Sequence, residues 1–183
     1  MLDEHKHAST QWFAVAVKPR FDKAVASTLE RKGYETFLPL CQKQHRNGAH
    51  SPDADLLLFP GYVCCRFEAR NRLRILTTPG VTQILGADNP TALADIEIAS
   101  LQTAIRAQLP VQPFPFIQAG ERLRIEDGAL AGLEGIVMSF KETLRLVLSI
   151  TPLQKSVLVE IGRDQVNAAG CSNIAQFDPI KGD

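Results

Sequence analysis

The side chains of this chain that could do chemistry are its four histidines, four cysteines and twenty carboxylates. Their spacing argues against catalysis. Cys41, Cys64, Cys65 and Cys171 form no C-x-x-C pair. Cys64 and Cys65 are adjacent and would point to opposite faces of a strand, which suits neither a metal nor a disulfide. They read as small buried hydrophobes. Zinc on Cys41, His45 and His50 is conceivable, but structural zinc sites draw four ligands in recognisable pairs, so no metal is expected. Asp53 and Asp55 read as solvated loop charge, and Glu126-Asp127 as an exposed turn before Gly128. There is no Gly-rich phosphate loop and no G-x-S-x-G element. Gly128-Ala-Leu-Ala-Gly132 reads as a tight turn. An enzyme is not expected, nor is a cofactor.

What remains is surface chemistry. Trp12 and Phe13 are adjacent on an apolar run, so their rings face opposite ways if the run is a strand. Phe59 and Tyr62 flank a Pro60-Gly61 kink. A sheet with helices on one side would leave an apolar, aromatic face on the other, suited to binding a protein. The competing reading is that all four rings fill the core. Arg66, Arg70, Arg72 and Arg74 form a basic run opposed only by Glu68, and Arg20 and Lys23 add positive charge nearby in sequence. Such a local excess suits phosphate contacts. A solvated helix face is the alternative, although Arg70 and Arg74 at i, i+4 would repel each other.

The elements that would position these groups are legible in part. The chain has 183 residues, 45% apolar and 22% charged, with twenty basic and twenty acidic side chains cancelling. This is globular composition, and its neutrality argues against indiscriminate nucleic-acid coating. No apolar run reaches the roughly 18 residues of a membrane span, and Met1–Gln11 lacks the apolar core of a secretion signal, so a cytoplasmic protein is expected. Trp12–Val17 reads as a strand. Phe21, Val25 and Leu29 form a helical stripe ended by Gly33. Glu35–Cys41 reads as an edge strand, 42–55 as a hairpin or mobile loop, and Leu56–Phe67 as a strand broken at Pro60-Gly61. Arg70–Thr78 reads as a short helix, Val81–Leu85 as a strand and Asp95–Leu109 as an amphipathic helix.

Three prolines within Leu109–Phe116 suggest a stiff linker. Beyond it, the alternation in Leu144–Ile150 and Val157–Ile161 indicates a small closed antiparallel barrel. The expected organisation is a disordered tail at 1–10, an α+β domain at 11–109, a Pro-rich linker at 110–117, an all-β domain at 118–168 and a tail at 169–183.

In order along the chain, Trp12-Phe-Ala-Val, Phe37-Leu-Pro-Leu, Phe59-Pro-Gly-Tyr-Val63 and Thr78-Pro-Gly-Val81 precede the proline segment. Gly120-Glu-Arg-Leu-Arg-Ile125, Gly132-Leu-Glu-Gly-Ile-Val137 and Ser156-Val-Leu-Val-Glu-Ile161 follow it. This series resembles the NusG family of transcription elongation factors over about residues 11–166. The resemblance implies an α+β NGN domain, an antiparallel sheet flanked by helices, followed by an SH3-like KOW barrel. It implies that the first domain grips the clamp coiled coil of RNA polymerase through Trp12, Phe13, Phe59, Pro60, Tyr62, Val81 and Ile84, suppressing pausing and termination. Arg20, Lys23, Arg70, Arg72 and Arg74 would then reach DNA, the non-template strand included.

The barrel would recruit Rho or a ribosomal protein through Leu130, Leu133, Pro152 and Leu153, with Ala129 beside them. Family members often carry Phe where this chain has Leu130, Leu133 and Leu153. The Phe37–Leu40 strand and the compact 42–55 loop resemble operon-dedicated antiterminators, so a specialised, monomeric paralog is expected. A KOW-type RNA-binding or ribosome-associated protein is the alternative, and the neutral charge counts against it.

Overall fold

A computed structural model describes residues 10–42, 55–117, 122–125, 128–140 and 143–162. The chain runs β1 (Gln11–Val17), α1 (Asp22–Arg31), β2 (Glu35–Phe37), β3 (Leu40–Gln42), β4 (Asp55–Leu57), β5 (Tyr62–Phe67), α2 (Arg72–Leu76) and β6 (Val81–Ile84). It continues through β7 (Ala92–Leu93), α3 (Asp95–Arg106), β8 (Val111–Phe114), β9 (Arg122–Arg124), β10 (Glu134–Phe140), β11 (Thr143–Ile150) and β12 (Lys155–Gly162). It divides into two compact units, residues 1–38 with 59–93 and residues 39–58 with 94–183. The helix α3 therefore groups with the second unit, although it precedes the proline segment.

The first unit is an antiparallel sheet in the order β2-β5-β1-β6, with β7 also paired to β1. All the pairings are antiparallel. Alternation along β1 sends Phe13, Val15 and Val17 to one face, where they pack with Val63, Cys65, Phe67 and Ile84 against Val25, Leu29 and Ile75 of the helices. The Phe13 and Phe67 rings lie 4.6 Å apart at a tilt, a favourable aromatic geometry. The helix α1 buries Val25 and Leu29 of its expected stripe, while Phe21 precedes it as the N-cap and is exposed, and it stops as the sequence indicates. Gly33 takes φ +87°, its N–H donates to Glu30 O, and Tyr34 N–H donates to Leu29 O, so the last carbonyls are satisfied.

In the second unit, β3 and β4 pair as a hairpin, in agreement with one of the two readings of 42–55; residues 43–54 lie outside the described set. The helix α3 buries Ile98, Leu101 and Ala104. The strands form a five-stranded antiparallel sheet in the order β8-β12-β11-β10-β9. Among the described residues β8 and β9 do not pair, so the sheet is an open path rather than the closed barrel expected from the sequence.

The proline segment also departs from expectation. Val111–Phe114 is no linker but an edge strand, with Pro113 opposite Val157 of β12. An edge strand needs N–H donors on one side only, so a proline is tolerated there. Gly128–Leu130 is a tight turn, as the glycines at 128 and 132 suggest.

One buried charge pins the turn that leads into β5. Asp22, in the first turn of α1, is 4% exposed, and its Oδ1 accepts the Gly61 N–H at 2.7 Å. Gly61 sits at φ +87° and its carbonyl accepts Val17 N–H at 2.9 Å. Hydrogen bonds to ionised groups contribute roughly 1.5–3 kcal/mol. Asp22→Ala should therefore destabilise the first unit by about 2 kcal/mol. Urea unfolding followed by the fluorescence of Trp12, the single tryptophan, measures this as a lower midpoint.

Candidate functional site

The face of the β1–β5 sheet opposite α1 and α2 is built by register. Trp12 lies opposite Arg66, Ala14 opposite Cys64 and Ala16 opposite Tyr62. On the neighbouring strands Phe37 lies opposite Cys64, Glu35 opposite Arg66 and Leu93 opposite Trp12. Cross-strand partners share a face, so these side chains make one surface. Its middle is apolar and aromatic. One end carries Arg66, whose guanidinium stands 5.9 Å from the Trp12 ring centroid and 3.5 Å from a Glu35 oxygen. A cation at this distance over an indole is attracted by the ring quadrupole.

The expected polymerase contacts divide between the two faces. Trp12 and Tyr62 belong to the face just described. Phe13, Val81 and Ile84 lie on the opposite one, where Phe13 and Ile84 are buried in the core and Val81 packs against it. Their strand positions have the wrong parity for the second face. Phe59 and Pro60 belong to the turn before β5, Phe59 buried and Pro60 exposed.

The expectation that the aromatic face is displayed outward is corrected as well. Trp12 is 3% exposed and Phe59 2%, while Tyr62 is half-buried. Sequence reasoning missed Ala14, Phe37, Cys64, Arg66 and Leu93 as members of this face. The period-2 alternation from Trp12 would have given Ala14; the others required the register.

The basic side chains are unequal. Arg20, Lys23, Arg70 and Arg74 are exposed. Arg20 sits at φ +69°, a left-handed conformation uncommon for a residue with a side chain. Arg72 is half-buried, and its Nη1 donates to Asp88 O at 2.6 Å, so this guanidinium is partly engaged within the fold. A further cation, Lys32, ties α1 to α2, its Nζ donating to Thr78 Oγ1 at 2.7 Å and to Arg74 O at 3.1 Å. It sits at a helix C-terminal end, where positive charge is favoured.

In the second unit the expected partner contacts also separate. Leu130 and Leu133 are buried, at 3% and 0% exposure. They shape their turn from within and offer no apolar tip. Pro152 and Leu153 are half-buried on the 3-10 turn between β11 and β12, and Ala129 is exposed.

Of the four cysteines read as small buried hydrophobes, Cys64 and Cys65 are buried, Cys41 is only half-buried and Cys171 lies outside the described residues. Burial pushes both thiols up to about 12, and for Cys64 the neighbouring Cys65 adds to the effect. A thiol held this high is not a nucleophile at neutral pH. His45 and His50 lie outside the described residues. Among those described, no group of three or more His, Cys, Asp or Glu is placed to hold a metal, and no helix is long and apolar enough to cross a membrane.

Comparison with known proteins places this architecture. Residues 10–102, just over half of the chain, match the family model NusG, described as "Transcription termination factor nusG". The chain belongs to the NusG family. Among its relatives are the transcription termination/antitermination protein NusG of Escherichia coli O6:H1, 24% identical over 175 residues, and that of Buchnera aphidicola, 24% identical over 178. The matches span 87% and 88% of this chain and 96% and 98% of those proteins. A solved structure of Thermotoga maritima NusG aligns at 16% identity with a TM-score of 0.48, covering 82% of this chain and 92% of that one.

The raised thiol values set a pH dependence. Each folded value of about 12 lies above the ordinary thiol value of 9.0. The stability associated with keeping these thiols protonated is complete below about pH 9 and is lost as pH rises through the folded value. At pH 8, iodoacetamide should leave Cys64 and Cys65 unmodified in the native protein and alkylate both in urea, as peptide mass spectrometry reads directly.

Proposed function

We propose that this protein binds RNA polymerase during elongation, suppresses pausing and termination, and couples transcription to a second partner through its C-terminal sheet. Membership of the NusG family carries the reading. The polymerase contact is assigned to the second face of the first sheet, centred on Trp12, Ala14, Cys64 and Tyr62, with Phe59 and Pro60 at its rim. Tyr62 is its accessible aromatic. An aromatic surface edged by an Arg–Glu pair suits a helical coiled coil, here the polymerase clamp, because rings bury large area at low entropic cost while the rim pair sets orientation. No bond is made or broken in this function. Binding energy alone would hold the clamp closed. Trp12 and Phe59 are buried, so engaging them requires a rearrangement of this face.

The second domain is proposed to act as a KOW module. Pro152 and Leu153 are its contact residues, while Leu130 and Leu133 are buried. Rho and a ribosomal protein are the two candidate partners. The expected division into an NGN domain at 11–109 and a KOW domain at 118–168, the specialised-paralog character, the monomeric state and the cytoplasmic location belong to the same proposal. Exposed Arg20, Lys23, Arg70 and Arg74 are its DNA contacts. Arg72 contributes less because of its bond to Asp88.

Two sets of measurements test this. Tyr62→Ala should reduce capture of RNA polymerase by about tenfold, the scale of one interface anchor. Leu73→Ala, on exposed α2, should leave it unchanged; equal capture by wild type and Tyr62→Ala would remove the aromatic-face mechanism. In transcription over a defined pause, wild-type protein should shorten the pause. Second, Arg70→Ala and Arg74→Ala should each lower the slope of log affinity against log salt for DNA by about one, with little change of sequence preference. An unchanged slope would take these arginines off the DNA.

A further inference from the structure

Within the second unit, α3 lies across β10 and β11 and leaves a cleft of about 150 Å³ lined by residues of both. A water occupies about 30 Å³ in the liquid, so the cleft is not a packing defect of one solvent molecule. Two polar contacts hold it in shape. Ser100, 1% exposed, accepts the Glu134 N–H at 2.9 Å through its Oγ. Glu97 Oε1 accepts both the Thr151 N–H at 3.1 Å and the Thr151 Oγ1–H at 2.6 Å.

The other oxygen of Glu97 decides what the cleft is for. Among the described residues Oε2 is buried and has no hydrogen-bond partner. An unpaired buried carboxylate oxygen is costly, and the cost is relieved by a cation bearing N–H donors. The second carboxylate of the cleft, Glu134, already meets Arg122 at 3.4 Å. The walls between the acids are aliphatic, from Ile96, Ile117, Ile136 and Val147.

We propose that this cleft receives an arginine side chain of a partner polypeptide, its guanidinium on Glu97 Oε2 and its methylenes against the isoleucine and valine wall. Arginine fits better than lysine because its planar head carries five donors and sheds water more readily than an ammonium. A polypeptide side chain fits better than a free amino acid or polyamine. Those bring further charges, and the cleft offers one unpaired carboxylate oxygen beside an aliphatic wall. The assignment does not depend on the polymerase reading, since it uses no residue of the first sheet.

The test is amide NMR of the full chain titrated with capped Gly-Arg-Gly, with capped Gly-Leu-Gly and agmatine in parallel. The arginine tripeptide should shift the amides of Ser100, Glu134 and Thr151 saturably, and the leucine tripeptide should not. Glu97→Gln keeps an oxygen for Thr151 while removing the charge. It should preserve the spectrum of the fold and weaken the arginine tripeptide about tenfold, the scale of one charge-assisted hydrogen bond. Arg122→Ala, which frees Glu134, should leave binding intact or strengthen it. Equal binding by Glu97→Gln, shifts scattered over surface acids without saturation, or binding of agmatine with exclusion of the capped tripeptide would each overturn the proposal.

Discussion

β1 is hydrogen-bonded along both edges, to β5 on one side and to β6 and β7 on the other. It is also buried on both faces, with five of its seven residues at 7% exposure or less. These two conditions set nearly everything else in the first unit. A strand with side chains of period two can be buried on both faces only if each face receives its own apolar set. Phe13, Val15 and Val17 supply one, and Trp12 and Ala14 supply the other. A slip of one residue against β5 would exchange the two sets and set Trp12 among the helices. The register is therefore part of the functional assignment and not a detail of the fold.

The two faces differ in what they ask of the chain. The helix-side face is a conventional core, filled by branched and aromatic residues. The second face is edged by charge, holds small residues beside one indole, and ends in a tyrosine next to a turn fixed by Asp22 and Gly61.

Much of this was legible from residue order. The helix α1 followed from Val25, Leu29 and a glycine stop, β11 and β12 from plain alternation, and the burial of Cys64 and Cys65 from the absence of any partner spacing. The failures share a cause, which is that burial depends on pairings distant in sequence. The segment with three prolines read as a spacer because proline is judged by what it forbids, yet an edge position forbids nothing that Pro113 lacks. Two residues are too few for β7 to show a pattern. Leu130 and Leu133 looked like an exposed apolar tip, and the turn folds them inward. Val81 and Ile84 were separated from Tyr62 only by strand parity, which depends on the register with β1. The Glu97–Thr151 contact joins residues 54 positions apart, beyond any local signal.

The strand order of the second sheet has a consequence for how the chain is made. Among the described residues β12 is the last strand in sequence, yet it is internal, with β11 on one side and β8 on the other. As the polypeptide leaves the ribosome, β8 emerges early and has no neighbour until the end of the sheet is synthesised. Its proline removes one amide from the waiting edge, which lowers the chance that another nascent chain will zip onto it. Completion of this unit is thus a late, long-range event, slower in kind than the local helices that precede it.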